Sequence, residues 1–269
     1  MKLRAPLRWA GSKRQSLPKL LSLLPQKIET YVEPFAGSAC VALQSGAEQF
    51  VLSDINPRLV DFYKRLRDNP TRLHGEYTSI PVDEQSYYQT RSAFNTARPS
   101  TKRAAQFLYL NRYCFNGIYR VNAKGEFNVP WGGGKTGKQI SLAELQPFSE
   151  FLARSSLICD DFENVIKAHL CAGSFFYIDP PYARDEKRVF REYHESSFGT
   201  KDWDRLVDCL NQIDAAGGRF LLSYAGDDAL VSRLKHWTNS YLDVTRNVGG
   251  FKSTRRKHRE FIAMNYVAA

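Results

Sequence analysis

The run Tyr31-Val32-Glu33-Pro34-Phe35 is the first segment whose residues predict a strand, and it stops at Ala36-Gly37-Ser38. An apolar stretch at Cys40–Leu43 reads as a helix, and a second short strand, Phe50-Val51-Leu52, ends in Ser53-Asp54. Strand, glycine turn, helix, strand and acid, in that order, open a nucleotide-binding α/β unit. Strand-like runs resume at Leu157-Ile158-Cys159, Ser174–Ile178, Arg219–Ser223 and Phe261–Tyr266. A helix is predicted over Trp203–Ile213, with Thr200 as its N-cap.

From Asn56 to Ser155 the pattern changes. Amphipathic stretches at Leu59–Leu66 and Arg103–Leu110 predict helices, and a polar, glycine-containing region follows from Asn111 to Lys138. Consecutive strands of a parallel sheet do not need so long a connection, so the segment reads as a separate, largely helical module. The expected division is an α/β domain from residues 1–55 and 156–269, with 56–155 inserted and a hairpin at about 111–138.

Composition leaves this picture intact and adds a partner. The chain has 269 residues, 43% hydrophobic and 13% aromatic, enough for one α/β domain with an insertion. Against 28 Asp and Glu stand 38 Lys and Arg, a formal charge of +10. That surplus fits a polyanion, because each cation at a phosphate releases a condensed counterion; a merely basic soluble protein fits it equally. The five cysteines (Cys40, Cys114, Cys159, Cys171, Cys209) form no Cys-x-x-Cys pair, which predicts free thiols and no metal site. No apolar run is long enough to span a bilayer, and none of signal-peptide type follows Met1–Pro6, so the expectation is a cytoplasmic protein without membrane attachment.

Two motifs suggest a cofactor pocket. In Glu33-Pro34-Phe35-Ala36-Gly37-Ser38 a glycine lies just past the carboxyl end of a strand, the edge where open α/β sheets bind ligands. Asp54 ends the next strand, where a carboxylate can accept hydrogen bonds from ribose hydroxyls; the alternative is a helix cap before Asn56-Pro57. No Gly-x-Gly-x-x-Gly or Walker sequence is present, so a nucleoside without phosphates, S-adenosylmethionine, fits better than a dinucleotide. Near the N-terminus, Trp9 can pack over a sulfonium or an adenine face, and Lys13 can donate to the cofactor carboxylate. An arm packed on the core is the alternative.

Asp179-Pro180-Pro181-Tyr182 follows the buried-strand run Phe175–Ile178 and is the most specific signal in the chain. An exocyclic amino group on a purine is a poor nucleophile, because its lone pair is delocalised into the ring. Asp179 can accept one of its N–H groups and the Pro180 carbonyl the other, which turns the nitrogen toward tetrahedral geometry and exposes the lone pair to a methyl group. Paired prolines donate no N–H and have fixed φ, so the carbonyl is aimed in advance. Tyr182 offers a face for base stacking, worth about 1–3 kcal/mol in comparable sites. A proline-stiffened strand exit is the alternative.

In Trp9-Ala10-Gly11-Ser12-Lys13, Glu33–Gly37, Asp54-Ile55-Asn56, Leu108–Gly117, Gly125–Pro130, Asp179–Tyr182 and the Phe190–Phe198 stretch, the chain resembles the D12-class DNA adenine methyltransferases. The motif order is that of the family's α group. The resemblance implies a Rossmann-like class I methyltransferase sheet with an inserted, mostly helical target recognition domain. It implies transfer of a methyl group from S-adenosylmethionine to N6 of a flipped adenine in double-stranded DNA, within GATC or a closely related short site. Trp9, Lys13, Phe35, Gly37, Asp54 and Asp179, with Asp161 and Phe162 near the adenine, then form the cofactor shell. Asp179, Pro180 and Tyr182 form the catalytic set.

The stretch Asn111–Arg120 resembles the family's DNA-reading hairpin. Arg120 can reach a guanine bidentately, Ile118 a thymine methyl, and Phe115 can wedge into the stack left by a flipped base. Asn116, Pro130 and Arg8 fall where the family makes further DNA contacts, while core packing is the alternative for Tyr113 and Tyr119. Ser12 stands where the family commonly has a second glycine, and Trp131–Lys135 lacks a tyrosine found there in some GATC enzymes. Arg255, Arg256 and Lys257 lie in Lys252–Arg259, read as a basic loop on the DNA backbone before the last strand, or else as a solvated hairpin. Two rival readings stand beside this one. An RNA amino-methyltransferase with an Asp-Pro-Pro-Phe/Tyr motif would lack the insertion, and a silent DNA-binding module would not need Asp179, Tyr182, Asp54 and Lys13. A cognate restriction endonuclease is left open as a second partner.

Overall fold

Every residue of Ser174–Ile178 is buried, and this strand stands between two parallel neighbours in a mixed α/β fold with a seven-stranded sheet. The computed structural model describes residues 3–134, 137–181, 198–224, 228–247 and 255–268, with the side chains of 228–230, 244–247 and 255–258 outside that description. The strands are β1 (Thr30–Glu33), β2 (Gln49–Ser53), β3 (Ser155–Ile158), β4 (Ser174–Ile178), β5 (Arg219–Tyr224), β6 (Thr238–Asn247) and β7 (Arg255–Met264). The helices are α1 (Leu17–Leu21), α2 (Pro57–Asp68), α3 (Pro70–Thr78), α4 (Glu84–Thr96), α5 (Thr101–Tyr113), α6 (Leu142–Ala153), α7 (Phe162–Ala168), α8 (Thr200–Ala215) and α9 (Asp228–Arg233). Among the described residues no helix is long and apolar enough to cross a membrane.

The chain divides into two compact units. Met1–Ser12 and Asn56–Cys159 fall in the first, and Lys13–Ile55, Asp160–Arg188 and Ser196–Ala269 in the second.

In the second unit the strand order is β2-β1-β4-β5-β7-β6. Strands β2, β1, β4 and β5 are parallel, and β7 runs antiparallel to both β5 and β6. The unbroken apolar sequence of β4 is what a strand covered on both faces requires. Because β1 pairs with β2 on one side and β4 on the other, chain connections leave it in opposite directions, opening a crevice at the carboxyl ends.

Three details differ from the sequence reading. The apolar Cys40–Leu43 stretch contributes only a single 3-10 turn, Ala42–Gln44, before Gly46 turns the chain at φ 75°. Helix α8 begins at Thr200 itself, and Gly199 is the cap residue, its N–H satisfied by Asp202 Oδ2 at 3.0 Å. Within the basic stretch, Arg255, Arg256, Lys257 and His258 are strand and not loop: they belong to β7, paired in register with Asn247, Arg246, Thr245 and Val244 of β6, while Lys252, Ser253 and Thr254 lie outside the described residues. Polar residues along a two-stranded ribbon carry no apolar alternation, so neither β6 nor the first half of β7 shows a strand period.

The first unit is built around α5. Its residues Phe107, Leu108, Tyr109, Leu110 and Tyr113 are all buried, each contributing roughly 1.5–3 kcal/mol through apolar area removed from water. Ser100 caps its start, accepting from the Arg103 N–H at 3.2 Å. In α2 the buried positions Leu59, Val60, Phe62, Tyr63 and Leu66 follow the helical period, and Asn56 caps the helix by accepting from the Arg58 and Leu59 N–H groups. Asn56 therefore does the capping for which Asp54 was the alternative.

Candidate active site

Three strand ends converge in the second unit. After β1 the chain turns through Phe35-Ala36-Gly37, and the Ala36 N–H donates to the Ser53 carbonyl at 2.7 Å. Gly37 takes φ 47°, a left-handed conformation that glycine adopts without steric cost. Its amide donates to Asp54 Oδ2 at 3.0 Å, so the turn after β1 and the acid after β2 are hydrogen-bonded together. After β4 come Asp179, partly exposed, and Pro180, buried. Tyr182 lies outside the described residues, as do residues 190–197.

Lys13 connects to this edge. Its Nζ lies 2.8 Å from Asp179 Oδ1 and 3.2 Å from Glu260 Oε1, and its side chain is 3% exposed. The ammonium that the sequence assigned to the cofactor carboxylate is turned to two protein carboxylates. Glu33, at the end of β1, is also buried, and its Oε2 has no hydrogen-bond partner among the described residues. Burial first, and then the charge of Asp179, push its carboxyl well above the usual carboxylate range. Sequence reasoning gave neither Glu33 nor Glu260 a role. A glutamate inside an apolar strand run was the available signal for Glu33; the pattern carried none for Glu260.

The aromatic positions form one cluster. Phe35 stacks on Phe162 with centroids 5.2 Å apart, and Phe198 meets both rings, Phe35 edge-on at 5.8 Å. A flat base inserted between two rings needs about 7 Å, two van der Waals layers, so these two rings leave no room for a base between them. Asp161 caps α7, accepting from the Glu163 N–H at 3.0 Å. Arg205, another residue that sequence reasoning missed, pairs with Asp161, Glu163 and Asp202, and its guanidinium lies 4.7 Å over the Phe162 ring.

The remaining predicted positions lie in the first unit. Trp9 stacks on Tyr119 at 5.6 Å and tilts against Phe107 at 6.5 Å, so this ring has protein partners. The segment Cys114–Trp131 folds as a hairpin, closed by bridges Cys114↔Trp131 and Val121↔Phe127. Helix α4 holds its returning arm: Asn95 exchanges two hydrogen bonds with the Phe127 backbone, and Tyr87 donates to the Val129 carbonyl. At the other end Phe115 is 51% and Ile118 37% exposed, high for large apolar side chains. Asn116 between them takes φ 54°. Arg120 Nε donates to Asn128 Oδ1 at 2.8 Å, and the exposed Pro130 accepts from the Phe115 N–H. Arg8 is clamped by Asn111, which accepts from its N–H and donates to its carbonyl. Tyr113 is buried, as the packing alternative had it. Of Arg255, Arg256 and Lys257, the backbone alone is described.

The chain is similar to known proteins over most of its length. The family of D12 class N6 adenine-specific DNA methyltransferases matches residues 9–253. The chain is 33% identical over 273 residues to the type II methyltransferase M1.LlaDCHI of Lactococcus lactis subsp. cremoris, covering 98% of this chain and 96% of the relative. It is 33% identical over 290 residues to the type II methyltransferase M.MjaIII of Methanocaldococcus jannaschii, covering 99% and 100%. To a DNA adenine methylase of Salmonella typhi it is 33% identical over 272 residues, covering 98% and 95%. The chain belongs to the D12 class of N6 adenine-specific DNA methyltransferases.

Proposed function

We propose that the enzyme transfers the methyl group of S-adenosylmethionine to N6 of an adenine flipped out of double-stranded DNA, within GATC or a closely related short site. The observation that carries this reading is the position of Asp179-Pro180. The pair follows β4 directly, and on the neighbouring strand β1 the chain ends in a glycine turn held by Asp54.

The residues present fit the cofactor. Asp54 supplies a carboxylate for ribose hydroxyls, oriented by the Gly37 amide, and Phe35, the more open ring of its pair, supplies a face for adenine. Gly37 lets the backbone approach closely, and Phe162 and Asp161 support the aromatic wall. Bound there, S-adenosylmethionine supplies a methyl group activated by its sulfonium.

The protein's part is to prepare the nucleophile. Asp179 and the Pro180 carbonyl accept the two N–H groups of the adenine amine, and Tyr182 stacks on the base. The nitrogen lone pair then points along the line of transfer, and positioning of this kind accounts for much of the rate. The proton released by the methylated nitrogen leaves toward the Asp179 carboxylate.

DNA recognition falls to the first unit, proposed as the target recognition domain. Its hairpin offers Phe115 as the wedge and Ile118, Asn116, Arg120 and Pro130 as base contacts, with Arg8 beside them; Arg255, Arg256 and Lys257 hold phosphates. The reaction is placed in the cytoplasm, and a cognate restriction endonuclease is the second partner this reading admits.

Expression in a host free of DNA methylation, followed by mapping of modified adenines, tests the whole reading. N6-methyladenine in one short sequence context is expected. Its absence overturns the reaction, and a different context overturns GATC alone.

A further inference from the structure

Glu260 sits on β7 with 1% of its surface exposed, opposite Leu242 of β6 in the ladder. Its carboxylate meets the Lys13 ammonium, and the ammonium meets Asp179. Side-chain exposure rises along this series, from 2% at Glu260 and 3% at Lys13 to 18% at Asp179. Asp179 is thus the member that faces a ligand, the lysine stands behind it, and Glu260 stands behind the lysine.

Two carboxylates share one cation, and this has a chemical consequence. A lone buried Lys13–Asp179 pair would close on itself, and each ion would take up the other's hydrogen-bonding capacity. Asp179 would then be a poor acceptor for an incoming amino N–H. An ammonium drawn toward a second carboxylate holds the first less tightly. The trio also keeps one negative charge more than positive, at the place where the amino group loses electron density during transfer. Glu33 does not duplicate this role, since burial favours its neutral form.

We propose that Glu260 is a positioning residue, which acts through Lys13 to keep the Asp179 carboxylate available to the adenine amino group. This rests on the reading of Asp179 as the acceptor of that group. Glu260 touches neither base nor cofactor; its effect is on how strongly Lys13 occupies Asp179. A buried ion pair kept only for the fold is replaceable by apolar side chains of similar volume, whereas this arrangement makes the two ends of the series unequal.

The test compares methyl transfer by the wild-type chain, Glu260→Gln and the double variant Lys13→Met/Glu260→Met. It uses labelled S-adenosylmethionine and a duplex that the wild type methylates. In Glu260→Gln the second negative charge is gone and the ammonium is drawn more strongly to Asp179, so kcat should fall by about thirtyfold or more while both KM values stay within about twofold. The double variant removes the ammonium together with its counter-ion, so its kcat should stay within about tenfold of the wild type. Wild-type kcat in Glu260→Gln overturns the proposal, as does a loss expressed in KM. If Glu260→Gln does not fold, the double variant decides: kcat retained supports the proposal, and kcat lost overturns it. A wild type that transfers no methyl group to adenine refutes the underlying reading of Asp179 instead.

Discussion

The main-chain amide of Gly37 donates to Asp54 Oδ2 at 3.0 Å, so the turn after one strand orients the acid after the next. If Asp54 binds the cofactor's ribose, Asp54→Ala removes two acceptors and releases the glycine turn. A charge-assisted hydrogen bond contributes about 1.5–3 kcal/mol, so cofactor affinity should fall roughly ten- to hundredfold. Gly37→Ala should act in the same direction, since an L-residue at φ 47° costs about 1–2 kcal/mol. Calorimetric titration with S-adenosylhomocysteine measures both, and unchanged affinity in Asp54→Ala removes that residue from the pocket.

Arg205 joins three carboxylates from two helices and covers the Phe162 ring. Its side chain is 37% exposed, so solvent screens these pairs and Arg205→Ala should cost only about 1–2 kcal/mol of stability. The larger expected effect is on the cofactor, because Phe162 supports the Phe35 face. Arg205→Lys should not rescue it, since one ammonium cannot meet three carboxylates and stack on a ring. Urea unfolding and cofactor titration separate the two effects; an affinity that falls only as far as stability does contradicts the positioning role.

Much of this site is legible in the sequence. The apolar run of β4 identified a buried central strand, and the position of Asp179 at its end followed. The helical periods of α2 and α5 were visible for the same reason, since each buries one continuous stripe. What was hidden is long-range or polar. Lys13 and Glu260 are 247 positions apart, and no local pattern encodes such a pair. Strand β6 and the start of β7 escaped because a polar ribbon has no hydrophobic alternation. Trp9 shows a further limit: its pattern suggested a ligand, and the structure stacks it on Tyr119.

Burial, and then the charge of Asp179, raise the Glu33 carboxyl well above the usual carboxylate range, and this makes stability depend on pH. A group whose folded pKa is raised contributes stability that is fully present below its unfolded value, near 4.5, and lost as pH rises through the folded value. Glu33→Gln has no proton to lose. The variant should therefore melt above the wild type at about pH 8, and the gap should narrow toward about pH 5. Thermal unfolding across that range checks the sign. A gap that does not change with pH means that Glu33 is not the group concerned.

Arg255, Arg256 and Lys257 lie within β7, so their backbone is fixed by the ladder with β6. If they hold phosphates, changing all three to Gln should weaken binding to every duplex equally. Each lost phosphate contact lowers the slope of log affinity against log salt by about 0.9. Titrations of cognate and scrambled duplexes at several salt concentrations supply the measurement. A slope equal to that of the wild type takes this strand out of the interface.

Arg120 makes a different prediction, because base contacts and phosphate contacts fail differently. Its Nε is held by Asn128, on the returning arm of the hairpin, so the guanidinium is oriented before DNA arrives. A bidentate arginine–guanine contact discriminates by about 1–3 kcal/mol against the wrong base. Arg120→Ala should therefore relax selection at one base pair of the site and leave the others as they are, with the salt slope nearly unchanged. Asn128→Ala should produce a weaker form of the same relaxation, since it removes one hydrogen bond that orients the arginine and keeps the arginine itself. Methylation of a duplex library carrying every single substitution reads out both. Equal loss at all positions would make Arg120 a backbone contact and move the specificity elsewhere on the hairpin.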